Sequence, residues 1–110
     1  SSAAPHPVLN TLANRNARFM ADSGRVDLFE QERYREVLRQ TFGDALQTRE
    51  LMFATTESVS IQTAAEQAVA HWSQQSDVVD AVNAPATVYG LDMFQAPDSG
   101  LWFATLLVIK

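Results

Sequence analysis

The sequence predicts an α+β domain: a three-layer α-β-α sandwich whose small, mainly antiparallel sheet ends in a C-terminal β-hairpin. Three observations predict it. Residues 87–94 and 101–109 are rich in branched and aromatic side chains and flank the turn sequence Ala96-Pro97-Asp98-Ser99-Gly100, so the pair reads as a hairpin. Along the second of these strands Leu101, Phe103, Leu107 and Ile109 alternate with Trp102, Ala104, Leu106 and Val108, and a strand apolar on both faces needs cover on both. Upstream, three segments carry apolar residues at helical spacing, which supplies the two covering layers.

Each element has its own signal. From Val8, the positions Leu9, Leu12, Ala13, Ala17 and Met20 share one helical face opposite Asn10, Asn14, Arg15 and Arg18, and Gly24 stops this first helix. Asp27 with Glu30 three residues on reads as a capping box for a second helix, with Tyr34, Val37, Leu38 and Phe42 on its stripe and Gly43 at its end. Glu32, Arg35, Glu36 and Arg39 form its solvated side at helical pair spacing. Leu51-Met52-Phe53-Ala54 is too short for a helix and apolar on both faces, the pattern of an inner strand. Ser60 or Thr63 can cap a third helix whose Ile61, Ala65, Ala68, Val69 and Trp72 share a face, and Ser76 can cap a brief helix through Val79 and Val82, ended by Asn83 and Pro85.

Composition narrows the function classes. A chain of 110 residues is one domain's worth, assigned here to 7–110 with residues 1–6 as a disordered lead. With 46% hydrophobic and 19% charged residues it has enough apolar surface to fold alone. A net charge of −5 opposes nucleic acid and anionic lipid headgroups as partners. The absence of cysteine excludes a disulfide framework, a thiolate nucleophile and thiolate metal sites. No apolar run reaches the roughly 18–20 residues of a membrane span, and the opening Ser1-Ser2-Ala3-Ala4-Pro5 reads as a trimmed or an artificial terminus rather than the start of a gene product, so the chain is expected to be either cytoplasmic or already processed for export.

The familiar catalytic motifs are missing: no Gly-rich phosphate loop, no G-x-S-x-G elbow, no H-E-x-x-H. Of the two histidines, His71 sits at the margin of the third helix's apolar stripe, where a hydrogen-bonded boundary role is the simpler reading than acid-base work. Glu50 opens the apolar run 51–54, so its carboxylate either lines a cleft or is neutralised by Arg49 or a backbone N–H at the strand start. Asp92 interrupts the apolar pattern of the hairpin's first strand and is read as an edge or hydrogen-bonded residue. Asp77 and Asp80 suit the first turn of the short helix, where its dipole favours negative charge.

Ala65-Glu66-Gln67-Ala68-Val69-Ala70-His71-Trp72 followed by Asn83-Ala84-Pro85-Ala86-Thr87-Val88-Tyr89-Gly90-Leu91-Asp92 resembles the CAP superfamily, or SCP-like domains, the group of cysteine-rich secretory, antigen 5 and pathogenesis-related proteins. Its bacterial members show a helix ending in Trp, a Ser-Pro-x-His turn, Asn-Pro then Gly, and paired aromatics on the last strand, here Gly100-Leu101-Trp102-Phe103-Ala104. The similarity runs from Thr63 to Ile109 and more loosely over Leu12, Ala13, Ala17 and Met20. The family's two metal-binding histidines would fall near Leu28 and Asp77, and its Gly-Glu-Asn looks like Arg49-Glu50-Leu51, of which only the glutamate is kept. The resemblance therefore implies a secreted or periplasmic binding or interaction domain without metal or cofactor. Its cleft would lie near Glu50, Asp77 and His71, and its partners would be a lipid, a sterol or a protein. Two other readings stand beside it. One is a hydrolase-like enzyme using Glu50, Asp77 and His71 as an acid-base set, which requires all three to meet. The other is an unrelated cytoplasmic α+β domain that dimerises through the edge of the hairpin.

Overall fold

A computed structural model describes residues 3–44, 47–85 and 87–109. The elements run β1 (Ala4–Pro5), α1 (Pro7–Ser23), α2 (Gln31–Phe42), β2 (Thr48–Ala54), α3 (Ile61–Trp72), α4 (Ser76–Val82), β3 (Val88–Gln95) and β4 (Trp102–Ile109). The sheet has the order β1-β3-β4-β2, with β1 parallel to β3 and the other pairs antiparallel. The α-β-α expectation holds: β4 is buried from Phe103 to Ile109, and its alternating side chains feed two separate cores. Leu107 and Ile109 meet Leu9, Leu12 and Ala13 of α1 and Tyr34 and Leu38 of α2. Ala104, Leu106 and Val108 meet Ala68 and Trp72 of α3 and Val78 and Ala81 of α4. Full burial of each Leu or Val on this strand stabilises by about 1.5–3 kcal/mol, which is why the hairpin's second strand takes the middle of the sheet.

The local signals explain most boundaries. Pro7 opens α1 after His6, whose Nδ1 accepts the Val8 N–H at 3.2 Å, and Gly24 closes it in the left-handed conformation, donating to the Met20 carbonyl at 2.8 Å. Ser60 caps α3 by accepting the Thr63 N–H, whereas Ser76 does not cap α4 as expected: it is the first helical residue, and Gln75 takes the cap position without a side-chain bond. The hairpin turn closes through Gly100 N–H to Ala96 O at 2.9 Å and Ala96 N–H to Leu101 O at 2.8 Å. Asn16 is the polar exception on the buried side of α1. Its Nδ2 donates to Thr105 Oγ1 at 3.0 Å and its Oδ1 accepts the Phe29 N–H at 2.6 Å, so one side chain ties α1 to β4 and to the segment leading into α2.

Four expectations change. The run Leu51–Ala54 lies on an edge strand, not an inner one, because the hairpin pairs β3 with β4 and leaves β2 to occupy β4's other side. Asp27 and Glu30 do not form a capping box: Asp27 Oδ1 accepts the adjacent Leu28 N–H, and α2 starts one residue after Glu30, whose φ of 46° takes the chain into the helix. The buried row of α3 is Ala64, Ala68 and Trp72, leaving Ile61 and Val69 exposed, because the small alanines seat the helix on the sheet and Trp72 fills the space beyond them. Within the segment read as a disordered lead, Ala4–Pro5 pairs with Val88 and Tyr89, and the His6 N–H donates to Tyr89 O at 2.8 Å.

Candidate functional site

Alternation along β2 decides where the candidate residues go. Glu50 stands opposite Leu107 and turns toward α2, whereas its neighbours Arg49 and Leu51 stand opposite Val108 and Leu106 and turn toward α3 and α4. Arg49 accordingly reaches the other layer, where its Nε lies 3.4 Å from Asp77 Oδ2 and its guanidinium meets the Gln75 side-chain oxygen. Asp77 is exposed in the first turn of α4. His71 is exposed on α3, its ring 5.4 Å from that of Phe53. Glu50 is thus separated by the sheet from Asp77 and His71, and the three do not form one acid-base constellation. Asp92 is hydrogen-bonded in place, accepting from Asn14 Nδ2 at 2.9 Å and from the Met93 N–H at 2.8 Å. Among the described residues no three His, Asp or Glu side chains gather in an arrangement able to hold a metal ion, and no helix is long and apolar enough to cross a membrane.

Two grooves flank the sheet. The first, about 300 Å³, lies between α3, α4 and the outer part of β3. Trp72, Leu106 and Tyr89 line its floor and Val69, Val79 and Leu91 its walls, and none of its lining residues is charged. Val69 is 60% and Leu91 42% exposed, two of the few large apolar side chains left open to solvent. Sequence reasoning placed Val69 in the core and passed over Leu91. The available signal was that Tyr89 and Leu91 fall on the same face of their strand as Met93, beyond the reach of the short α3 and α4.

The second groove, about 480 Å³, lies between α2 and the start of β2, on the Glu50 side. It is polar, with Glu32, Arg35, Glu36 and Arg39 of α2 facing Thr48 and Glu50, so the side of α2 read as merely solvated is one wall of it. At its base Tyr34 is buried, with the Glu50 carboxylate beside its hydroxyl. Burial pushes the Tyr34 phenol well above its ordinary value of about 10; the Glu50 carboxylate adds to the rise through its charge and a hydrogen bond with the phenol, and Arg35 opposes it. The unfolded chain therefore loses this proton first, so Tyr34's contribution is complete below about pH 10 and falls away as the pH climbs toward the folded-state value. Denaturant titrations should show stability falling by about 1 kcal/mol more between about pH 9 and about pH 11 in the wild type than in Tyr34→Phe. Parallel curves for the two proteins would contradict the burial of the phenol.

The hairpin edge is partly covered: β4 is central, and on the outer side of β3 Val88 and Tyr89 pair with β1 while Asn10 Oδ1 accepts the Leu91 N–H at 3.1 Å. No family model, curated protein or solved structure matches the chain.

Proposed function

We propose that the chain is a binding module of the SCP-like kind, acting outside the cytoplasm, which takes a neutral apolar ligand in the groove between α3, α4 and β3. The observation that carries this reading is the convergence of Val69 and Leu91, both uncovered, on an apolar cavity without a charged lining residue. The sandwich with its C-terminal hairpin at the centre is what the resemblance implies, and the separation of Glu50 from Asp77 and His71 weighs against the hydrolase alternative. An apolar wall with no cation favours a sterol or long-chain alcohol over a fatty-acid anion, whose carboxylate would lose hydration without a counter-charge. The net charge of −5 opposes nucleic acid as the partner.

At a hundredfold excess over its Kd, a bound sterol or long-chain alcohol stabilises by about 2.7 kcal/mol, an upward Tm shift of about 10 °C for a domain of this size. Leu91→Arg, which puts a charge at the mouth of the groove, is expected to abolish the shift while leaving the unliganded Tm within about 2 °C, because Leu91 is exposed. If no sterol, alcohol or fatty acid moves the Tm, or if Leu91→Arg leaves the shift intact, the groove is not the binding site.

A further inference from the structure

The chain closes one edge of its sheet and leaves the other open. Ladder geometry tells which backbone groups face outward. One step beyond the last register pair of β2 and β4, Ala54 with Phe103, the Thr55 N–H donates to Trp102 O at 3.0 Å. Thr55, Phe53, Leu51 and Arg49 therefore exchange their backbone bonds with β4, and Thr48, Glu50, Met52 and Ala54 turn their N–H and C=O groups to the free side. The same count on the hairpin, from the Ala96 N–H to Leu101 O, puts Tyr89, Leu91 and Met93 on the outer side of β3. There the groups are met: Tyr89 O accepts the His6 N–H, Asn10 Oδ1 the Leu91 N–H, and Asp92 Oδ1 the Met93 N–H at 2.8 Å. Along β2, among the described residues, no backbone or side-chain group meets the outward N–H and C=O of Glu50, Met52 or Ala54. Nor is this edge blunted: its 7 residues contain no Lys, Pro or Gly and pair with β4 one for one, without a bulge.

A row of unspent backbone groups is completed by another extended strand, and charge selects which one. A two-fold axis perpendicular to the sheet sets two β2 strands antiparallel and keeps each helical layer on its own side. Opposed side chains then share a face, so the axis falls at one residue rather than between two. At Arg49 or Glu50 it would set like charges against each other, which is destabilising. At Met52 it spares the charges but carries Thr48 and Arg49 past the end of the partner strand. At Leu51 it pairs the whole strand: Thr48 with Ala54, Arg49 with Phe53, Glu50 with Met52, and Leu51 with its own copy. Each charge meets an uncharged side chain, and the outward groups of Glu50 and Thr48 meet those of Met52 and Ala54. We propose that the chain forms a two-fold dimer through β2 in this register, joining two 4-stranded sheets into one. The dimer stands independently of the apolar groove, which lies by the opposite edge, along β3.

Sedimentation equilibrium from about 5 μM to about 1 mM, the range of a small transient interface, should show a reversible monomer–dimer equilibrium. Amide hydrogen exchange read by NMR toward the two ends of that range locates the contact. The amides of Glu50, Met52 and Ala54 should exchange more slowly at the higher concentration, while those of Arg49, Leu51 and Phe53, bonded to β4, are protected at both. Two variants test the register. Met52→Glu sets a carboxylate against Glu50 of the partner subunit and Met52→Lys sets an ammonium there, twice per dimer by symmetry. The Glu variant should dimerise about tenfold more weakly than the Lys variant. Both put a charge at the same half-buried position, and circular dichroism of the dilute proteins checks that each is folded. The exchange pattern of the wild type needs no substitution and stands if either variant fails to fold. Three results overturn the proposal: a monomer throughout the range, a dimer in which the outward amides of β2 gain no protection, or a Met52→Lys protein that dimerises no better than Met52→Glu. The second would place the interface on another face.

Discussion

Gly90→Ala is expected to remove a large part of the domain's stability. Gly90 lies on β3 opposite Leu107 and faces α1. A Cβ built there falls 2.1 Å from the Leu9 carbonyl carbon, 2.3 Å from its oxygen and 2.5 Å from the Asn10 nitrogen. All three are backbone atoms, so no rotamer change relieves the contact and the helix itself has to move. Its position is held by several bonds to the same strand: His6 N–H to Tyr89 O, Leu91 N–H to Asn10 Oδ1, and Asn14 Nδ2 to Asp92 Oδ2. Moving α1 away also opens the core that Leu9 and Leu12 share with Leu107 and Ile109. The cost should exceed the usual 1–3 kcal/mol of overpacking and reach about 4 kcal/mol, a large part of a total stability of about 5–15 kcal/mol.

Circular dichroism melts should show a Tm lower by about 15 °C or more, or no cooperative transition at all. Gly43→Ala is the control. Gly43, unlike Gly90, takes a positive φ, 95°, and a Cβ there meets nothing within 4 Å, so only backbone strain of about 1–3 kcal/mol is added. A Gly90→Ala protein melting within a few degrees of the wild type would mean that α1 does not rest on β3 at this point.

The same close approach marks a limit of what the sequence carries. The alternation of Phe103 to Ile109 is a property of one segment, and it announces a strand covered on both sides; α1 and α2 meet one face and α3 and α4 the other. Strand order is not such a property. Leu51–Ala54 has the composition of an inner strand yet lies at the edge, because which strand is central depends on pairings between segments far apart in the chain. On α3 the two candidate rows, Ala64-Ala68-Trp72 and Ile61-Ala65-Val69, lie side by side on one apolar arc. Periodicity finds the arc, and contact with the sheet chooses the row.

The candidate site divides in the same way. That Glu50 lacks a simple neutraliser follows from strand alternation alone, since Arg49 must point to the other face. That Asp77 receives Arg49, and so cannot share a cleft with Glu50, is a tertiary contact between a strand and a helix cap region. Tyr34 reads from sequence as a plain core residue of the α2 stripe, and so it is, apart from a hydroxyl whose place beside Glu50 only the folded chain reveals. The apolar groove is less legible still. Val69 and Leu91 belong to different elements, and each alone is an ordinary exposed hydrophobe; their convergence is what makes a cavity.

Asn16→Leu is expected to lower stability by about 3 kcal/mol or more, a Tm decrease of about 10 °C or more, although it replaces a polar residue by an apolar one on a buried helix face. The side chain at this position satisfies two groups, the Thr105 hydroxyl on the central strand and the Phe29 N–H ahead of α2. Thr105 is 0% exposed, so its hydroxyl finds no water when the amide is removed. Thr105→Val should also destabilise, because it orphans Asn16 Nδ2. The double variant Asn16→Leu/Thr105→Val should then cost less than the sum of the two, by about 1–2 kcal/mol, since removing both ends of a buried bond leaves neither unpaired. The remaining cost belongs to the Phe29 N–H, and hydrogen exchange should show it as faster opening at Phe29 and its neighbours while the amides of β4 stay protected. Strictly additive single and double variants would mean that the Asn16–Thr105 bond contributes nothing beyond packing. The segment before α2 would then be held by the Phe19–Phe29 ring stack and the Phe29 amide bond.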